Sequence, residues 1–149
     1  STNKGKTWVS IQGDLPERGS VYAFAQDEEN PNLLFAGTEF GFFFTVDGGQ
    51  HWHQIKSGIP TIAVRDIAIQ RRENDIVLAS FGRGFYVLDD YTPLRSLTEE
   101  AIEKEAHIFP IEDALLYVQS NPLGLRGKGS QGSGLYTAPN PDFGATFTY

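Results

Sequence analysis

A chain of 149 residues is long enough for one domain with a true core, and 16 glycines, 8 prolines and 13% aromatics favour a turn-rich β protein over a helical one. A net charge of −7 offers no basic cluster to neutralise phosphates, so neither nucleic acid nor an anionic membrane surface is an expected partner. With no cysteine there is no disulfide framework and no thiolate chemistry, and no apolar run reaches the length of a membrane span.

The chain opens on Ser1-Thr2-Asn3-Lys4-Gly5-Lys6-Thr7-Trp8, and the pattern returns at Thr45-Val46-Asp47-Gly48-Gly49-Gln50-His51-Trp52, its tryptophan 44 residues later. Asp-Gly-Gly between two strand-forming runs reads as a tight turn. The aspartate accepts hydrogen bonds from the amides ahead of it, and glycine tolerates the positive φ such a turn needs. Trp52 then re-enters the sheet with a large apolar surface to bury. Leu15-Pro16 and Ile59-Pro60 follow the two tryptophans at equal offsets.

Next come matching strands in the two copies, Val21–Ala25 and Val64–Ile69, each followed by a polar turn and a second strand, Leu33–Thr38 and Ile76–Ser80. Gly41 matches Gly84, Phe42–Phe44 match Phe85–Val87, and Asp47 falls on Asp90. Each unit reads as a meander of four short strands with turns at regular spacing, the pattern of a β-propeller blade. Tandem hairpins of a sandwich are the competing reading. The expected fold is therefore all-β: about two antiparallel four-stranded blades of a partial propeller over residues 1–95, with a short helix and an irregular C-terminal tail.

The tail is read in two parts. Residues 96–120 hold a helix at 98–106, behind Thr98 as N-cap, and one or two closing strands at His107–Pro110 and Ala114–Val118. Residues 121–149 hold a Gly- and Ser-rich linker (Gly124 to Gly134) and the first strand of a following sandwich. The run Gly124–Ser130 is not a phosphate loop, because Pro122 stands where the first glycine is required and Gly129 where Ser or Thr is. The absence of methionine, even at position 1, leads us to expect a piece of something longer.

The motif Ser/Thr-x-Asp/Asn-x-Gly-x-x-Trp at 1–8 and 45–52 resembles the Asp-box, or BNR repeat, of sialidases, xyloglucanase-like glycosidases and sortilin-type ectodomains. Leu33–Gly41 and Gly82–Asp90 are more similar still to large secreted or periplasmic sortilin-like bacterial propeller proteins, commonly described as BNR-type glycosyl hydrolases. The resemblance covers residues 1–95 and implies a secreted or periplasmic location. The copy at Val87–Pro93 keeps its aspartate but lacks the glycine and tryptophan, as a last blade leaving a propeller would.

For the box residues Ser1, Asn3, Gly5, Trp8, Thr45, Asp47, Gly49 and Trp52 a structural role is expected. Asn3 in the place of Asp47 makes the same turn but is a poor acid, and in the families it resembles the box sits far from the active face. Propeller geometry instead puts ligands at the rim opposite the boxes. The rim loops hold Glu39-Phe40, Phe81-Gly82-Arg83 and Glu17-Arg18, and Arg65 begins an inner strand close by. Glu39, Phe40, Arg65 and Arg83 are the ligand candidates: the arginines to grip a carboxylate or sugar, Glu39 as an acid or base. The bland alternative makes them solvated rim charges or ion pairs between blades. No metal site is expected, because His51, His53 and His107 lack a third ligand at metal spacing, and no cofactor is expected either.

Two blades cannot close a ring, so the expected partners are the remainder of a larger chain, or further copies of this one, joined through blade faces. A glycan or peptide is the expected ligand. The favoured function is a non-catalytic segment that binds or scaffolds a peptide or glycan through the rim. The alternative is a fragment of a glycoside hydrolase whose acid and base lie on other blades, since hydrolysis needs two carboxylates at a set distance and this sequence supplies no complete site.

Overall fold

The runs Leu33–Gly37 and Phe40–Phe44 contain no polar side chain, and such apolarity suits strands covered on both faces. In the computed structural model, which describes residues 1, 3–98, 101, 104–111, 113–114, 116–118 and 143–148, every residue of β2 (Leu34–Thr38) and β3 (Gly41–Thr45) is buried. They form the middle of a four-stranded antiparallel sheet, ordered β1-β2-β3-β4, with β1 at Val21–Gln26 and β4 at His53–Ile55. A second antiparallel sheet has three strands, β5 (Val64–Gln70), β6 (Asp75–Ser80) and β7 (Phe85–Leu88). Among the described residues the chain divides into two units, Ser1–Glu105 and Ala106–Tyr149, and all seven strands belong to the first.

Strand register assigns the faces. Phe35 lies opposite Phe44 and Gly37 opposite Phe42, so these four share one face. That face packs on Ile76, Leu78 and Val64 of the second sheet in the larger of two buried clusters. Contact there is close: a Cβ on Gly37 would lie 2.8 Å from a Val64 methyl carbon. The other face of the first sheet (Leu34, Ala36, Phe43) forms a smaller cluster with Trp52, under Leu15.

The fourth strand expected of the second repeat copy is replaced by a helical turn, α1 (Thr92–Arg95), with Pro93 in its first turn. Proline has no N–H for a ladder and its fixed φ suits a helix start. Of the longer helix expected at 98–106, residues 99, 100, 102 and 103 lie outside the described residues. Thr98 does accept from the Ala101 amide through its carbonyl (3.0 Å) and its hydroxyl (3.2 Å), while 104 and 105 form a bend.

In the second unit no described residue is in a strand, against the strands expected at 107–110 and 114–118. Pro110 removes a donor there, and one backbone bond, Phe109 N–H to Thr148 O (3.1 Å), joins distant segments. Edge-on ring contacts, His107–Phe109 and Tyr117–Phe143, add local packing. The Gly-rich run 124–134 and, of the terminal segment 138–149, residues 138–142 and 149 lie outside the described residues.

Candidate functional site

Both sheets are built to one plan at the end where β1 and β5 begin. The β2–β3 turn is tied to the residue before β1 by Glu39 N–H to Ser20 O (3.0 Å), and the β6–β7 turn to the residue before β5's first by Phe81 N–H to Ala63 O (2.9 Å). Thr38 and Ser80 close the two turns alike, their hydroxyls donating to Gly41 O and Gly84 O. β1 and β5 each also carry a bulge at the second residue, between Val21 and Ala23 and between Val64 and Asp66. A bulge re-aims one side chain. Here the two residues are Tyr22 and Arg65, and they meet: the Arg65 guanidinium lies 4.0 Å from the centre of the Tyr22 ring and 5.1 Å from that of Phe81.

All three side chains reach solvent, so the guanidinium keeps donors free to point away from the rings. Arg65 therefore gathers two aromatics, of which Phe81 lies in a rim loop and Tyr22 was not anticipated. The signal for Tyr22 was present, since it occupies the repeat position of Arg65. Glu39 and Arg83 are exposed in their turns. Phe40, 41% exposed, leans over Gly19, where a Cβ would come within 2.6 Å of its ring, and its carbonyl accepts from the Gln54 amide (3.1 Å).

At the opposite end of the first sheet lies the 45–52 turn. Thr45 Oγ1 accepts from the Gly49 amide (3.1 Å) and donates to Asp47 Oδ1 (2.7 Å), which accepts from Gln50 N–H (2.8 Å) and His51 N–H (3.0 Å). The 1–8 turn repeats these bonds: Gly5 N–H to Ser1 Oγ (2.8 Å), Ser1 Oγ to Asn3 Oδ1 (3.2 Å), Thr7 N–H to Asn3 Oδ1 (2.9 Å). Lys4 takes the left-handed backbone of Gly48, with φ of 57° and 76°. Burial acts to raise the Asp47 pKa, but the Thr45 hydroxyl, the His51 amide and ring and the Gln50 amide outweigh it and hold the carboxyl well below the usual range. Such a group is a permanent acceptor, unsuited to proton transfer. His51, whose side chain is exposed, holds Asp47 Oδ2 through Nδ1 at 2.7 Å. The two tryptophans differ. Trp52 is buried, donating to Ile11 O (3.1 Å), whereas Trp8 is 80% exposed because no sheet lies behind it for it to cover.

The acidic turn 27–32 holds an unexpected cluster. Asp27, followed by Glu28 and Glu29 in a polar turn, is nonetheless only 3% exposed. Its carboxylate accepts from Tyr91 Oη (2.6 Å), Arg95 Nη2 (2.7 Å) and Nε (3.0 Å), and the Asn30 amide (2.7 Å). Arg95 also donates to Glu29, Asn74 and the Tyr91 hydroxyl. Burial pushes Asp27 up, yet these hydrogen bonds prevail and hold it at about 2. Burial together with the Asp27 charge pushes Tyr91 up to about 12. Every buried side-chain polar atom among the described residues has a partner, so this cluster is satisfied from within the chain.

Comparison with family models, with curated proteins and with solved structures finds no match. No group of three His, Cys, Asp or Glu among the described residues is placed to hold a metal ion. No helix among them is long and apolar enough to cross a membrane.

Proposed function

We propose that the two sheets are successive blades of an Asp-box β-propeller, and that this sortilin-like segment binds a carboxylate-bearing glycan or peptide at the rim opposite its boxes. The observation that carries the reading is Arg65 held between Tyr22 and Phe81. Stacking on rings orients a guanidinium so that its edge presents paired donors, the geometry that takes a carboxylate bidentately. The flanking ring faces suit the C–H groups of a sugar or an extended peptide. Arg83 in the neighbouring turn adds positive charge at the same end. The blade reading is supported by the shared bulge, the shared turn bonds and the face-to-face packing of the sheets.

Titration by calorimetry with oligouronates and acidic peptides tests the proposal. Binding should weaken as salt rises. Arg65→Ala should lower affinity by about tenfold or more, and Arg65→Lys should not restore it, because an ammonium lacks the planar fork. Undiminished binding by Arg65→Ala would refute the site. Hydrolysis of aryl glycosides by the chain, lost on Glu39→Gln, would transfer the reading to the glycoside hydrolase.

A further inference from the structure

The contact between the two sheets is one repeat unit laid on the next, and each of its two sides has a counterpart: one is exposed on the second sheet, the other lies under Trp52 and Leu15 beside an open groove. The first sheet presents Phe35, Gly37, Phe42 and Phe44 to the second. Under the repeat and the strand register, these correspond to Val77, Ala79, Phe85 and Val87, which share the outer face of the second sheet. There Phe85 is 76% and Val87 58% exposed. Exposure of this kind on a matched apolar face marks an interaction surface.

The receiving side recurs too. Ile76, Leu78 and Tyr86, against which the first sheet packs, correspond to Leu34, Ala36 and Phe43 on the first sheet's other face. Ile55 and Ile59, which follow Trp52 and close the internal contact, correspond to Ile11 and Leu15. Between that face and the 11–19 segment lies a groove of about 360 Å³, lined by Ile11, Leu15, Val21, Phe24, Ala36 and Trp52. Ala36 stands where the internal contact has Leu78, which leaves room for a ring.

We propose that this groove seats a second copy of the chain, with the outer face of β6–β7, led by Phe85, entering as Phe42 enters the internal contact. The occupant is argued from the molecule itself: the chain carries the face that fits, and its own sheet-to-sheet contact shows how the two sides meet. The association is head-to-tail, each copy offering one face and accepting the other. It stands on the repeat and its packing, independent of any ligand at the rim.

Two single-cysteine chains test it without background, since the protein has no cysteine. Gly37 abuts Val64 internally, an ideal Cβ on Gly37 lying 3.2 Å from the Val64 Cβ. The equivalent pair between copies is Ala79 with Val21, within disulfide reach. When equal amounts of Val21→Cys and Ala79→Cys chains are mixed in a glutathione redox buffer, the mixed disulfide dimer should outnumber the two homodimers together several-fold, where random pairing would make them equal. Phe85→Asp, at an exposed position, should lower the molar mass by light scattering while the far-UV circular dichroism stays unchanged. A statistical mixture of dimers, a monomeric parent chain at high concentration, or self-association indifferent to Phe85→Asp would each overturn the proposal.

Discussion

Asp27, Tyr91 and Arg95 join the first polar turn to the segment after β7 by hydrogen bonds spanning 64 and 68 residues of sequence. Removing the carboxylate strands a guanidinium that is only 14% exposed. Asp27→Ala should therefore cost about 3 to 5 kcal/mol in urea unfolding, whereas Tyr91→Phe, which deletes one hydroxyl, should cost about 1 to 2. The pH dependence has a definite sign. Asp27 is held at about 2, below its unfolded value, so its contribution is complete above pH 4 and is lost as pH falls from there toward 2. That contribution is about 2 kcal/mol. Tyr91 is held at about 12, above its unfolded value, so its contribution is complete below pH 10 and fades as pH rises toward 12. Asp27→Ala should flatten the acid limb. Nothing in the sequence pointed to this clamp, because Asp27 sits among Glu28 and Glu29 in a run that reads as solvated, and its partners lie beyond any local window. Tyr22 is different: its match to Arg65 in the repeat was visible, but only the paired bulges show that the two side chains meet.

Among the elements, the turns at 1–8 and 45–52 make the same backbone bonds yet differ in what lies behind them. Trp52 closes the smaller cluster and holds the 11–15 segment through Ile11 and through Asp14, which accepts its backbone N–H at 2.6 Å. Trp52→Ala should destabilise by about 3 to 5 kcal/mol, while Trp8→Ala should stay within about 0.5 kcal/mol. Thermal melts of the two variants read this contrast directly, and equal effects would contradict it. The strands themselves were legible because aromatic and β-branched runs alternate with Gly, Asn and Asp turns, so β1 to β7 sit within a residue or two of their expected bounds. The helical turn at Thr92–Arg95 was not legible. Sequence identity at Asp90 pointed to a further turn of the repeated kind, but without the glycine and tryptophan the chain has neither the left-handed pair nor the plug that starts a fourth strand. Asp90 instead accepts from the Thr92 amide and hydroxyl, and Tyr91 turns inward to Asp27.

On the scale of the whole first unit, the two sheets stack through one apolar interface, with each hairpin rim at one end and the 45–52 turn at the other. This division of labour gives the account its central claim. The conspicuous motif of the sequence forms a turn in which Asp47 is locked as an acceptor, and the proposed binding surface is the opposite end, where bulges bring Tyr22 and Arg65 together beside Phe81. The repeat made the rim legible as a place, while the stacking of its residues depends on neighbouring inner strands, a long-range feature that no local pattern encodes. The most direct measurement is a two-dimensional NMR titration of labelled chain with an oligouronate. The account predicts shifts at the Arg65 Nε–H and at the amides of Phe40 and Phe81, with the amides of Gly49, Gln50 and His51 unmoved. Shifts centred on the 45–52 turn, or Arg65 unmoved at saturation, would contradict it.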